Sequence, residues 1–214
     1  MFRPNYAQDA PPGAIVVDGV PYAVQVDFRV WIDILGLARE LYPTVGTLEE
    51  ARHNARVLEN MQRLAFGRVL KAPPAAVLRA MMEFARGYPT MVGEDVDDGA
   101  DGEGEELLSF DYDINALVLA IHSQCGLDLS YRRKEPLHWW EFLLRVRTLC
   151  GDHYILRVMQ VRAGHDMGRA ARLARRRVRL PHKPTAEEKR QLCALRAAAG
   201  DTQDRGQGKT EEMP

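Results

Sequence analysis

Alternation comes first along the chain. In AIVVDGVPYAVQV, residues 14–26, two β-rich runs flank Asp18-Gly19, a pair suited to the positive φ angles of a tight turn, so a small hairpin is predicted. Beyond it the apolar positions recur at helical spacing. Asp27 is placed to cap FRVWIDILGLAREL, where Phe28, Trp31, Ile32, Leu35 and Arg39 follow that spacing and Gly36 weakens the helix without forbidding it. Thr47 with Glu50 forms a capping box that opens a helix with an apolar face of Val57, Met61, Leu64 and Ala65. Pro73-Pro74 start a further helix through Phe84, since proline in the first turn costs no intrahelical donor. Asp113 heads a one-sided helix with Ile114, Leu117, Val118, Ile121 and Cys125 on one stripe, ended by Gly126. LDLSYRRKEP then leads to a helix opened by Pro136. Asp152 is expected to cap HYILRVMQVRA, and Gly164 separates it from a basic helix, GRAARLARRRVRL. Thr185 and Glu188 make a second capping box for a last short helix.

The stretch LHWWEF, Leu137 to Phe142, sets the sharpest question. Wound as a helix from Leu137 to Cys150, it places Trp139, Phe142, Leu143, Val146, Leu149 and Cys150 on one broad apolar stripe. Leu137, Trp140 and Leu144 form a second stripe nearly opposite, and His138, Glu141, Arg145 and Thr148 share a polar strip. Two apolar faces need two partners. Either the helix lies at the centre of the domain, or one face is core and the other receives a partner protein.

These elements imply a mainly α-helical protein with a small N-terminal hairpin. The expected organisation is a leader over residues 1–13, a helical domain over 14–164, a basic helical extension over 165–199 and a disordered polar tail over 200–214. Within the domain, composition shifts abruptly to GEDVDDGADGEGEE at residues 93–106. This reads as a solvated acidic loop, because Asp95, Asp97 and Gly99 put a glycine where the third ligand of a calcium loop belongs. A chain of 214 residues is long enough to bury a real core, and 46% hydrophobic with 28% charged residues is ordinary for a globular protein. No apolar run approaches the ~20 residues of a spanning helix, and the first residues lack the order of a secretory signal, so a cytoplasmic protein is expected. Cys125, Cys150 and Cys193 lack metal-knuckle spacing and are expected to be buried thiols.

Chemistry is sparsely signalled. His138, Glu141 and Arg145 are explained by a surface ion-pair ladder, and HxxE alone lacks the third ligand of a zinc site. Neither a phosphate loop, a GxSxG elbow nor an HExxH pair occurs, so no catalytic, metal or cofactor site is assigned. Arg169, Arg172, Arg176 and Arg179 align along one side of the basic helix. Such a row could track phosphates, but it has no interleaved aromatics, so a solvated face or one meeting an acidic partner surface is the better reading, and nucleic acid is not expected.

The phrases DGVPYAVQVDFRVW, FDYDINALVLAIHSQCGLDL, LHWWEFLLRVRTLCGD and ILRVMQVR, in this order, resemble the phage protein family named for gene product fifteen. Asp27, Phe28, Arg29, Trp31, Asp113, Asp128, Leu129, Leu137, His138, Trp139, Trp140 and Phe142 stand at its motif positions. Cys125 stands where an aromatic is usual, Gln160-Val161 loosens the last phrase, and the acidic and basic segments look like additions. The resemblance implies a non-catalytic tail-assembly chaperone that keeps the tape-measure protein soluble until tail-tube protein polymerises around it. It further implies a host-cytoplasmic location, absence from the mature virion, no membrane, and tail-tube protein and a neighbouring assembly chaperone as further partners, with a structural tail or connector component of the virion as the alternative. Leu137, Trp140 and Leu144 are then the candidate client wall, with the arginine row as a second candidate surface.

Overall fold

The computed structural model describes residues 10–87, 107–130 and 135–164, then 174, 176–181, 188, 190, 191 and 194. It is mainly α-helical, with a two-stranded antiparallel hairpin at its start. Strands β1 (Ala14–Val17) and β2 (Val20–Ala23) pair in the register Ala14↔Ala23 to Val17↔Val20. Asp18 and Gly19 both take positive φ, 47° and 82°, which matches the turn to the strand twist. Ile15 and Val17 point into the core, Ala14 and Val16 to water.

The helices are α1 (Phe28–Ala38), α2 (Leu48–Phe66), α3 (Pro74–Ala85), α4 (Phe110–Cys125), α5 (Trp139–Arg147) and α6 (Tyr154–Ala163). Helix α1 packs on α2 and α5, α3 on β1 and α2, and α4 on α5 and α6. One large core gathers Trp31 and Ile34 of α1, Met61 of α2, Val77 and Met81 of α3, and Trp139 and Phe142 of α5. A smaller one joins Leu117 and Ala120 of α4 to Ile155 of α6.

Local signals place the first three helices. Asp27 Oδ1 accepts the Arg29 N–H at 2.9 Å and caps α1. The Thr47 box closes in both directions, with Glu50 N–H on Thr47 Oγ1 at 3.2 Å and Thr47 N–H on Glu50 Oε2 at 3.0 Å. Glu50 Oε2 also accepts the Gly46 N–H at 2.7 Å. That bond, with smaller help from Thr47 and Arg190, holds the Glu50 carboxyl below the ordinary carboxylate range against the opposing cost of burial. Helix α3 begins at Pro74, as expected.

Several expectations are corrected. Helix α4 starts at Phe110 with Ser109 as its cap residue, so Asp113 lies inside the first turn. There its Oδ2 accepts the Ser109 N–H at 2.9 Å, and a bidentate arginine holds the rest of the carboxylate. Helix α5 starts at Trp139, with His138 as N-cap, and α6 is preceded by His153, not capped by Asp152. Asp152 instead pairs with Arg157 at 3.4 Å. Cys125 and Cys150 are exposed, because the stripe of α4 leaves the core in its last turn and α5 ends before Cys150. Leu64 is 37% exposed, at the edge of the α2 face. Residues 93–106, Arg169, Arg172, Thr185, Cys193, the tail 200–214 and most of the leader lie outside the described residues.

Candidate functional site

The family phrases meet at one junction. After β2 the chain stays extended, and residues 26–28 run antiparallel to residues 137–139. Phe28 N–H donates to the Leu137 carbonyl at 3.0 Å and Trp139 N–H to the Val26 carbonyl at 2.7 Å. Asp27 and His138 face each other across this short bridge, and each then caps the helix that follows it.

Arg145 pairs with Glu141 at 3.6 Å, while the His138 ring is held by backbone groups. Its Nδ1 accepts the Trp140 N–H at 3.1 Å. An accepting Nδ1 leaves the ring proton on Nε2, which donates to the Pro12 carbonyl at 3.1 Å. Burial lowers the His138 pKa, and the Pro12 bond and the Glu141 charge oppose that shift. Among the described residues, no three His, Cys, Asp or Glu side chains are grouped to hold a metal ion.

The paired tryptophans finish another helix. The last carbonyls of α3 have no intrahelical donor. Trp139 Nε1–H donates to Ala85 at 2.9 Å and Trp140 Nε1–H to Phe84 at 2.8 Å, so adjacent indoles grip adjacent carbonyls. Arg147 donates to the next carbonyl, Arg86, at 2.8 Å. Gly87 follows with φ 78°, and a Cβ there would lie 2.7 Å from Leu143 Cδ1. Trp31 sends its own N–H to the Gln25 carbonyl at 2.7 Å and lies 4.6 Å from the Phe84 ring. Phe28 stacks on Phe142 at 4.5 Å.

The remaining motif residues lock this junction to α4. Arg29 is paired with Asp27 at 3.0 Å, lies 4.7 Å over the Phe28 ring, and donates to the Leu129 and Ser130 carbonyls at 3.3 and 3.1 Å. Asp128 accepts the Ser130 N–H at 2.8 Å, and Leu129 is buried. Arg162, the last residue of ILRVMQVR, binds the Asp113 carboxylate at 2.6 and 3.0 Å, with both side chains 9% exposed.

The proposed second face of α5 does not form as the wheel drew it. Leu137 precedes the helix and is 3% exposed in the main core, so helical spacing does not apply to it. Trp140 is half-buried against Phe84, and Leu144 is half-buried outside both cores. Arg176 and Arg179 are exposed, and the rest of their row lies outside the described residues.

An open groove lies elsewhere, between α1 and α4. Its volume is about 670 Å³, and Ile32, Ile114, Val118 and Leu119 line it over Phe28 and Leu129. Asp33 and Asn115 add polar edges, and Leu119 is 68% exposed. Leu119 lies off the apolar stripe that the sequence predicts for α4. The available signal was the run ALVLAI, in which a single stripe cannot cover every apolar residue and one must face water.

The sequence profile of one family, described as bacteriophage Gp15 protein, matches residues 8–181. No curated protein and no solved structure matches the chain.

Proposed function

The chain belongs to the bacteriophage Gp15 protein family, a phage structural or assembly-related protein, and from that premise we propose that it is a tail-assembly chaperone. In this reading it binds the tape-measure protein in the host cytoplasm and keeps that long helical client soluble until tail-tube protein polymerises around it. It performs no chemistry, and it leaves before the virion matures.

The observation that carries the reading is the apolar groove between α1 and α4. An amphipathic helix buries its apolar stripe in a groove of this kind, as i, i+3, i+4, i+7 anchors. Ile32 on α1 and Ile114, Val118 and Leu119 on α4 line the groove, and Leu119 is left 68% exposed, which offers such a stripe an apolar surface. We place the client here and not at Trp140, whose indole N–H is committed to Phe84 and whose supposed neighbour Leu137 is in the core.

Co-expression with the tape-measure protein tests the reading. Co-purification with a rise in soluble client supports it. A client neither bound nor rescued, together with detection of this chain in mature particles by mass spectrometry, moves the protein to a structural part of the virion.

A further inference from the structure

The two walls of the groove end in different rims. On α1 the inner residue is Ile32 and the outer one Asp33; on α4 the inner residues are Ile114 and Val118 and the outer ones Asn115 and Leu119. Each inner side chain is half-buried and each outer one exposed. Helix geometry imposes this, because consecutive residues stand about 100° apart and only one of two neighbours can face the floor. One rim therefore carries a carboxylate, the other an amide and a leucine.

The helices run antiparallel along the groove. Arg39, just past the end of α1, pairs with Asp111 at the start of α4 at 3.7 Å. Arg29 at the start of α1 reaches the Leu129 and Ser130 carbonyls beyond the end of α4. A helix of 11 residues is about 16 Å long, so α1 offers an occupant roughly three turns of wall.

The Asp33 carboxylate has no counter-charge on its own helix. Arg29 stands at the i, i+4 spacing for an ion pair, but its guanidinium is spent on Asp27 at 3.0 Å and on the two carbonyls. Val30, Gly36 and Leu37, the other positions one turn away, are uncharged. Among the described residues the Asp33 side chain makes no hydrogen bond or ion pair. An exposed carboxylate is at ease in water, yet beside an apolar groove it decides what can be laid there. An acidic flank on the incoming helix meets like charge, and a basic flank meets its complement.

We propose that the groove takes a client helix of about three turns whose apolar stripe is edged by lysine or arginine, and that Asp33 selects it. A long basic side chain lays its methylenes along the apolar wall while its charge reaches the carboxylate. The inference rests on the client reading and adds to it the charge of the segment bound.

Three fluorescent helical peptides test it on the full chain. All carry the same leucine stripe at i, i+3, i+4 and i+7, and their flanks hold lysine, glutamine or glutamate. At low salt the parent should bind the lysine peptide about threefold tighter than the glutamine peptide, the effect of a partly exposed ion pair, and the glutamate peptide weakest. Asp33→Asn should remove this preference and Asp33→Lys should invert it, with helix content unchanged. At about 1 M salt the three affinities of the parent should converge. Leu119→Asn should weaken all three about tenfold through lost apolar contact. In the co-expression assay Asp33→Lys should lower the amount of soluble tape-measure protein.

Peptides that bind and respond to Leu119→Asn, but show no charge preference or keep it in Asp33→Asn, overturn the role of Asp33 and leave the groove reading standing. Peptides that fail to bind, or that bind Leu119→Asn unchanged, remove the groove as a docking site and overturn both. Full rescue of the client by Asp33→Lys overturns the assignment of the basic edge to the client.

Discussion

Each ring nitrogen of His138 is committed to a different backbone group, so protonating the ring breaks the cap of α5. Burial holds its pKa below the ordinary value. The unfolded chain therefore binds this proton at a higher pH than the folded one, and the contribution is complete above about pH 6.5 and lost as pH falls through the folded value. His138→Asn keeps a capping oxygen and does not titrate. Urea unfolding at about pH 7.5 and about pH 5.5 should show a smaller acid loss in this variant than in the parent, and equal losses would assign the effect to other groups. The neighbouring tryptophans separate by burial and by their acceptors, since the Phe84 carbonyl held by Trp140 also accepts the Gly87 N–H at 3.1 Å. Trp139→Phe leaves a cavity and an orphaned carbonyl in a site 1% exposed, with an expected cost of about 3 kcal/mol. Trp140→Phe, half in water, should cost about 1 kcal/mol in the same denaturation assay.

At the scale of elements, features written within four or five residues could be read from the sequence, and features written across the fold could not. Asp18-Gly19, the Asp27 cap and the Thr47 box are local, and each sits where the sequence places it. Asp113 looked like a cap because it precedes an apolar stripe, but its partner is Arg162 on α6, and only the packing of α4 on α6 supplies it. Asp113→Asn should cost about 3 kcal/mol or more in chemical denaturation, because it leaves a guanidinium buried without its counter-charge. The faces of α5 were misdrawn for a related reason. The helix is only 9 residues long, so Leu137 and Cys150 fall outside it and its neighbours, not its periodicity, decide what is covered. Glycines divide in the same way. Gly36 lies inside α1 with open space around it, and Gly36→Ala should stabilise by roughly 0.5–1 kcal/mol. Gly87→Ala meets both a positive φ and Leu143, and should destabilise by more than about 1 kcal/mol. Paired thermal melts of the two variants, moving in opposite directions, check both.

For the molecule as a whole, the family phrases turn out to build architecture. DFRVW, GLDL and LHWWEF are bound to one another, so their residues hold the body together, while the α4 phrase lines the groove with Ile114, Val118 and Leu119 opposite Ile32. Stability and client binding should then be separable. Leu119→Glu changes a residue 68% exposed and should alter unfolding by no more than about 0.5 kcal/mol. In the co-expression assay it should abolish the rise in soluble client. Retention of full rescue would move the client away from the α1–α4 groove. The junction also gives the protein an optical property. All three of the chain's tryptophans lie in it, each with its indole N–H on a backbone carbonyl. Intrinsic emission is therefore a single built-in reporter of whether α1, α3 and α5 remain assembled. An acceptor dye on the client would report docking in the groove, while the indoles certify in the same cuvette that the body beneath it is still folded.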